Sequence, residues 1–137
     1  LVRRYEGANV ADRPRFLAAV PALAVSDERR AVAFLQDALG FTELRHEGRG
    51  LGILRRDQVE LHVWVADGSA PGAERHLAGS VSCRIEVTGV DELYRHCREL
   101  GVVHPNAPLS EKPWGTREFA VLDPDNNLIA LYERTAD

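Results

Sequence analysis

The sequence predicts an α+β fold built from two βαβββ modules, with a curved mixed sheet around a cleft and the helices on its outer face. Three observations predict it. Short apolar-alternating runs switch twice to helical spacing. The order strand, cap, helix, glycine stop, further strands occurs twice in the chain. The landmarks also keep register: Val25 and Val87 stand 62 positions apart, Phe34 and Tyr94 60, and Leu39-Gly40 and Leu100-Gly101 61.

The first module opens with the extended run Val20–Val25. Ser26-Asp27 supplies an N-cap with acid in the first turn, and Ala31, Phe34, Leu35, Ala38 and Leu39 form one helical stripe that Gly40 stops. Three strands follow, Phe41–Glu47, Leu51–Arg56 and Val59–Val65, the last two joined by a turn at 56–58. In the second module Val81–Val87 is a strand. Thr88-Gly-Val-Asp91 reads as a capping box, and Val90, Leu93, Tyr94, Cys97 and Leu100 form the stripe before Gly101. A short strand near Val102–His104 leads into a proline-rich loop, and Thr116–Leu122 and Leu128–Glu133 form a hairpin around Asp123-Pro-Asp-Asn-Asn127. One domain therefore covers 1–137: an N-terminal arm 1–17, a first module 18–66, a linker 67–79 and a second module 80–134. A single module cannot cover both faces of its own sheet, whereas two can enclose a cavity.

Composition narrows the partners. A formal charge of −4 argues against a general nucleic-acid binder, which needs a basic surface, and suits a cationic small ligand better than an anionic one. No run approaches the roughly 20 apolar residues that span a bilayer, and Leu1–Arg15 carries four arginines without the apolar centre of a secretory signal. Cys83 and Cys97 sit within a strand pattern and a helix stripe and read as buried free thiols in a reducing cytoplasm. The reading is a cytoplasmic protein with neither nucleic acid nor membrane as partner.

Strand alternation nominates the cavity-facing residues. Val59, Leu61, Val63 and Val65 form a core face, leaving Glu60, His62 and Trp64 opposite; Val81, Cys83, Ile85 and Val87 leave Ser82, Arg84 and Glu86 opposite. The five histidines, His46, His62, His76, His96 and His104, show no close ligand pairing; only His62 lies near an acid, Glu60. No nucleophile elbow, P-loop or dinucleotide fingerprint occurs, and Gly48-Arg-Gly50-Leu-Gly52 reads as a hairpin bend.

Val20-Pro21, Ser26-Asp27, Ala31-Val-Ala-Phe34, Leu39-Gly40-Phe41, Val90-Asp-Glu-Leu-Tyr94, Pro113-Trp-Gly-Thr-Arg-Glu-Phe119 and Asp123-Pro-Asp-Asn-Asn127 resemble the vicinal oxygen chelate (glyoxalase-like) superfamily over residues 18–134, and within it the bleomycin-resistance proteins. The resemblance implies a homodimer with two interfacial clefts, each sequestering one glycopeptide antibiotic from DNA. The arginine-rich arm is then either a segment exchanged between subunits or a frayed terminus. Enzymes of the superfamily hold a divalent metal with His, Glu or Gln. Those positions carry Val20, Ser82 and Ala130 here, and only Glu60 retains a ligand type. One carboxylate cannot hold a catalytic metal, so no cofactor is expected, and a metal such as copper enters only inside the drug.

The resemblance also nominates binding residues. Trp114, with Gly115, matches the family's stacking tryptophan for a flat bithiazole. From the residues themselves, Leu51 reads as an apolar lid, Glu43 and Glu47, alternating onto one face of the second strand, as partners of a cationic tail or as plain solvated carboxylates, and Arg117 and Phe119 as cleft-lining residues on the following strand. The chain departs from the family where Leu44, Arg45 and Gly50-Leu51 lack a ring and where Trp64 replaces a small residue. A tallysomycin- or zorbamycin-like drug is therefore as plausible as bleomycin. Two other classes stay open: a metal-dependent enzyme (glyoxalase, dioxygenase or thiol-transferase type) using Glu60 and His62, and a binder of an unrelated natural product.

Overall fold

The computed structural model describes residue 3 and residues 13–46 and 50–135. The first module comprises β1 (Ala22–Val25), α1 (Glu28–Leu39), β2 (Thr42–His46), β3 (Leu51–Arg56) and β4 (Val59–Val65). The second comprises β5 (Ser82–Glu86), α2 (Val90–Glu99), β6 (Ser110–Lys112), β7 (Thr116–Leu122) and β8 (Leu128–Arg134). Each module has its own four-stranded mixed sheet, in the orders β1-β4-β3-β2 and β5-β8-β7-β6, and the two orders correspond strand for strand. In both, the first strand runs parallel to the last, and the remaining pairs are antiparallel.

Local chemistry explains most element ends. Asp27 caps α1 by accepting from the Arg30 N–H at 3.1 Å. At the other end Gly40, at φ 70°, donates to Gln36 while Phe41 donates to Leu35, a left-handed stop that only glycine adopts without strain. The capping box expected at Thr88–Asp91 does not form. Gly89 occupies the cap position without a side chain, and Glu133 of β8 accepts the Val90 N–H at 3.0 Å instead. The start of α2 is thus set by a tertiary contact that no local pattern encodes.

Two strand expectations change. Val102–His104 makes only an isolated bridge, Val103 to Val121, while the proline-rich loop contains β6, paired with β7. Lys112 pairs with Thr116, so Pro113-Trp114-Gly115 is a three-residue hairpin loop. The Gly115 N–H closes a turn onto the Lys112 carbonyl at 3.1 Å, and Gly115 itself sits at φ 86°. Proline in the second turn position and glycine in the left-handed position are what such a loop requires.

Each helix lies on one face of its own sheet, and both contribute to one core: Leu23, Leu35, Leu39, Leu54, Leu61 and Val63 from the first module, Ile85, Val90, Cys97, Phe119, Val121 and Ile129 from the second. The modules meet where α1 ends, since His96 of α2 bonds the Asp37 carbonyl at 2.8 Å and the Cys97 thiol donates to the Ala38 carbonyl. Burial pushes the Cys83 and Cys97 thiols up to about 11, which keeps both protonated. No helix among the described residues is long and apolar enough to cross a membrane.

Candidate binding faces

The sheet faces opposite the helices carry the polar side chains that alternation nominates. On the first sheet, Glu60, His62 and Trp64 of β4 stand in register with Arg55, Ile53 and Leu51 of β3. His62 Nε2 lies 2.6 Å from Glu60 Oε2, and Arg55 donates to Glu60 Oε1 at 3.0 Å. Glu60 is therefore committed to two cationic or polar neighbours. Leu51, partly exposed beside Trp64, extends this face with apolar surface.

On the second sheet, Ser82, Arg84 and Glu86 of β5 stand beside Leu128, Ala130 and Tyr132 of β8. Arg84 grips Glu118 of β7 with two parallel bonds of 3.0 Å each and lies over the Tyr132 ring, 4.6 Å from its centroid. Glu118 also accepts from the Thr116 hydroxyl at 2.7 Å and from the Trp114 indole N–H at 3.3 Å. The Arg84 bonds, then those of Thr116 and Trp114, outweigh burial and hold the Glu118 carboxyl at about 2, well below its usual 4.5. Glu86 pairs with Arg134 at 3.0 Å.

Trp114 rises at the tip of the β6–β7 hairpin, and 63% of it is exposed. Because Pro113 and Gly115 satisfy the backbone demands of the loop, position 114 is free to carry a ring that the core does not need. Glu118, at the centre of this face, is the site-face residue that sequence reading missed. β7 is buried on both faces, so its alternation is invisible in apolarity alone. The spacing of Thr116 and Glu118, two apart and so on one face of a strand, was the available signal.

The same parity corrects two nominations. Arg117 and Phe119 point to the helix side of β7. Arg117 pairs with Asp91 of α2 at 2.7 Å, and Phe119, only 2% exposed, meets Tyr94 edge-on with centroids 5.1 Å apart. Glu43 is a third correction. The β2–β3 register shifts between Glu43 and Arg45, a bulge that sets Glu43 opposite core Leu54 rather than on the open face. It lines a small groove with Arg29, Val32 and Gln36 of α1. Glu47 lies outside the described residues, as does most of the arm 1–17.

A groove of about 1130 Å³ runs between the end of α1, the β3–β4 turn and the start of α2, and of the nominated residues Glu86 alone lines it. Among the described residues no cluster of three or more His, Cys, Asp or Glu is placed to hold a metal ion. Val20, Ser82 and Ala130 do not supply the donor set that a divalent metal requires.

Comparison with known proteins agrees with this architecture. The family described as "Glyoxalase/Bleomycin resistance protein/Dioxygenase superfamily" matches residues 17–131. The chain is 43% identical over 129 residues to bleomycin resistance proteins of Geobacillus stearothermophilus and Staphylococcus aureus, covering 86% of this chain and 97% of each relative. Among solved structures, a bleomycin resistance determinant encoded on the transposon Tn5 superposes with a TM-score of 0.69 at 26% identity, covering 88% of this chain and all of that one. The bleomycin-binding protein of bleomycin-producing Streptomyces verticillus, complexed with copper(II)-bleomycin, gives 0.67 at 30% identity, with 90% and 99% covered. Paired modules, matching strand orders and a family match over both of them lead to one conclusion: the chain belongs to the glyoxalase/bleomycin resistance protein/dioxygenase superfamily.

Proposed function

We propose that this protein is a non-catalytic resistance protein that sequesters a metal-loaded glycopeptide of the bleomycin family in clefts at a homodimer interface. The observation that carries the reading is the chemistry of the open sheet faces. They combine an exposed indole with amide- and hydroxyl-binding groups, where metal-dependent members of the superfamily would project ligands. The similarity to bleomycin resistance proteins along nearly their whole length supports it. So does the fold shared with bleomycin-binding proteins solved with their drug.

What one chain leaves uncovered supports a second copy. Leu51 and Trp114 are exposed and Trp64, beside Leu51, is partly so, and large apolar side chains in such positions mark a ligand or partner site. Closing the open faces of two protomers against one another would form clefts that desolvate a large guest. Glu60, Glu86 and Glu118 already have cationic partners, so recognition rests on stacking and hydrogen bonds more than on net charge. Any metal belongs to the guest.

Protection of DNA tests the proposal. Supercoiled plasmid exposed to activated bleomycin is expected to stay intact once protein reaches drug concentration. Undiminished cleavage with protein in large excess would defeat the reading.

A further inference from the structure

Trp114 presents a physical problem for any binding role. Its ring is mostly exposed at a hairpin tip, where an unrestrained indole samples several rotamers and loses that freedom on stacking against a guest. The structure supplies one restraint, the indole N–H bond to Glu118 Oε2. Glu118 is itself held at several points: it is buried, bonded by two parallel Arg84 contacts and by the Thr116 hydroxyl. Arg84 in turn is braced over the Tyr132 ring.

We infer that Glu118 is a positioning residue that fixes the Trp114 indole in a single orientation before a flat heteroaromatic guest arrives, with Arg84 and Tyr132 holding the carboxylate in place. The inference rests on the proposed binding function for its purpose, but the tether exists or fails in the free protein. Glu118 touches no guest in this account. It acts through the ring, lowering the ordering cost of stacking.

Two readouts test it. In a Trp64→Phe background Trp114 is the single tryptophan, so time-resolved fluorescence anisotropy reports its indole alone. Adding Glu118→Ala should introduce a fast local rotation of the ring, while circular dichroism shows the fold retained. Glu118→Gln keeps an oxygen for the indole and for Thr116, so the ring should stay ordered, and this variant guards against a folding defect. In the otherwise native protein, Glu118→Ala should weaken copper-loaded bleomycin binding about tenfold. Glu118→Gln should restore most of that loss, and Glu118→Ala should add nothing in a Trp114→Ala background. An indole equally ordered without Glu118, or effects of the two alanine changes that simply add, would overturn the inference. If the native protein fails to bind the drug, the functional reading falls, and the anisotropy comparison still decides for or against the tether.

Discussion

The side-chain amide of Asn127 donates to the Ala24 carbonyl at 2.8 Å, joining the β7–β8 turn to β1 across 103 positions of sequence. The same side chain accepts the Val81 N–H at 2.9 Å and donates to Asp123 at 2.8 Å, and it is fully buried. Beside it, Asp125 accepts from both the backbone N–H and the hydroxyl of Ser26, at 2.9 and 2.7 Å. Gly79 donates to the same Ala24 carbonyl at 3.1 Å, and its left-handed backbone lies so close to the Asp125 carbonyl that a Cβ would overlap it. The Asp-Pro-Asp-Asn-Asn segment is therefore a latch between modules as well as a turn.

Removing the latch should be costly. Asn127→Ala removes the acceptor of the Val81 N–H and one donor each from the Ala24 carbonyl and the Asp123 carboxylate, and should lower unfolding free energy by about 2–4 kcal/mol. Urea denaturation reads this as a lower midpoint at similar slope. An unchanged midpoint would show that the modules hold together without it.

Much of this fold was readable in the chain. The β1–α1 cap at Asp27, the Gly40 stop and the strands Leu51–Arg56 and Val59–Val65 follow from local rules of capping, glycine conformation and alternation. The failures share one cause: a nonlocal or register effect. The α2 cap comes from Glu133, 43 residues away. The bulge after Glu43 reverses the face on which an acid lands. In β7 both faces are buried, so Arg117 and Phe119 could not be separated from Glu118 by apolarity. Only the pairing of β7 with β6 and β8 makes that distinction, and β6 itself was hidden among prolines.

The contrast between Trp114 and Phe119 provides a second prediction. Phe119→Ala removes a buried ring packed on Tyr94 and should cost about 3–5 kcal/mol of stability. Trp114→Ala should leave the thermal midpoint nearly unchanged and weaken copper-bleomycin binding by about 1–3 kcal/mol. Thermal unfolding and titration on both variants check the pair. A destabilised Trp114 variant with native affinity would return that ring to a packing role.

Acid stability offers a third. The Glu118 carboxyl lies at about 2 in the folded protein against an ordinary 4.5, chiefly because Arg84 holds its charged form. A carboxyl depressed on folding contributes stability that is complete above its unfolded value and lost as pH falls through its folded value. The native protein should therefore lose stability between about pH 4.5 and 2 relative to Glu118→Gln. With Arg84 half exposed, the difference should be about 1–2 kcal/mol. Denaturation midpoints of both proteins across that window check it, and parallel curves would contradict the strength of the pair.

Isothermal titration of the purified protein with copper-loaded bleomycin tests the central claim most directly. Saturable binding near one drug per chain is expected, by a protein that carries no stoichiometric metal of its own before the drug is added. No heat of binding at high micromolar concentration for bleomycin or its close relatives, or a tightly held transition metal in the drug-free protein, would contradict it.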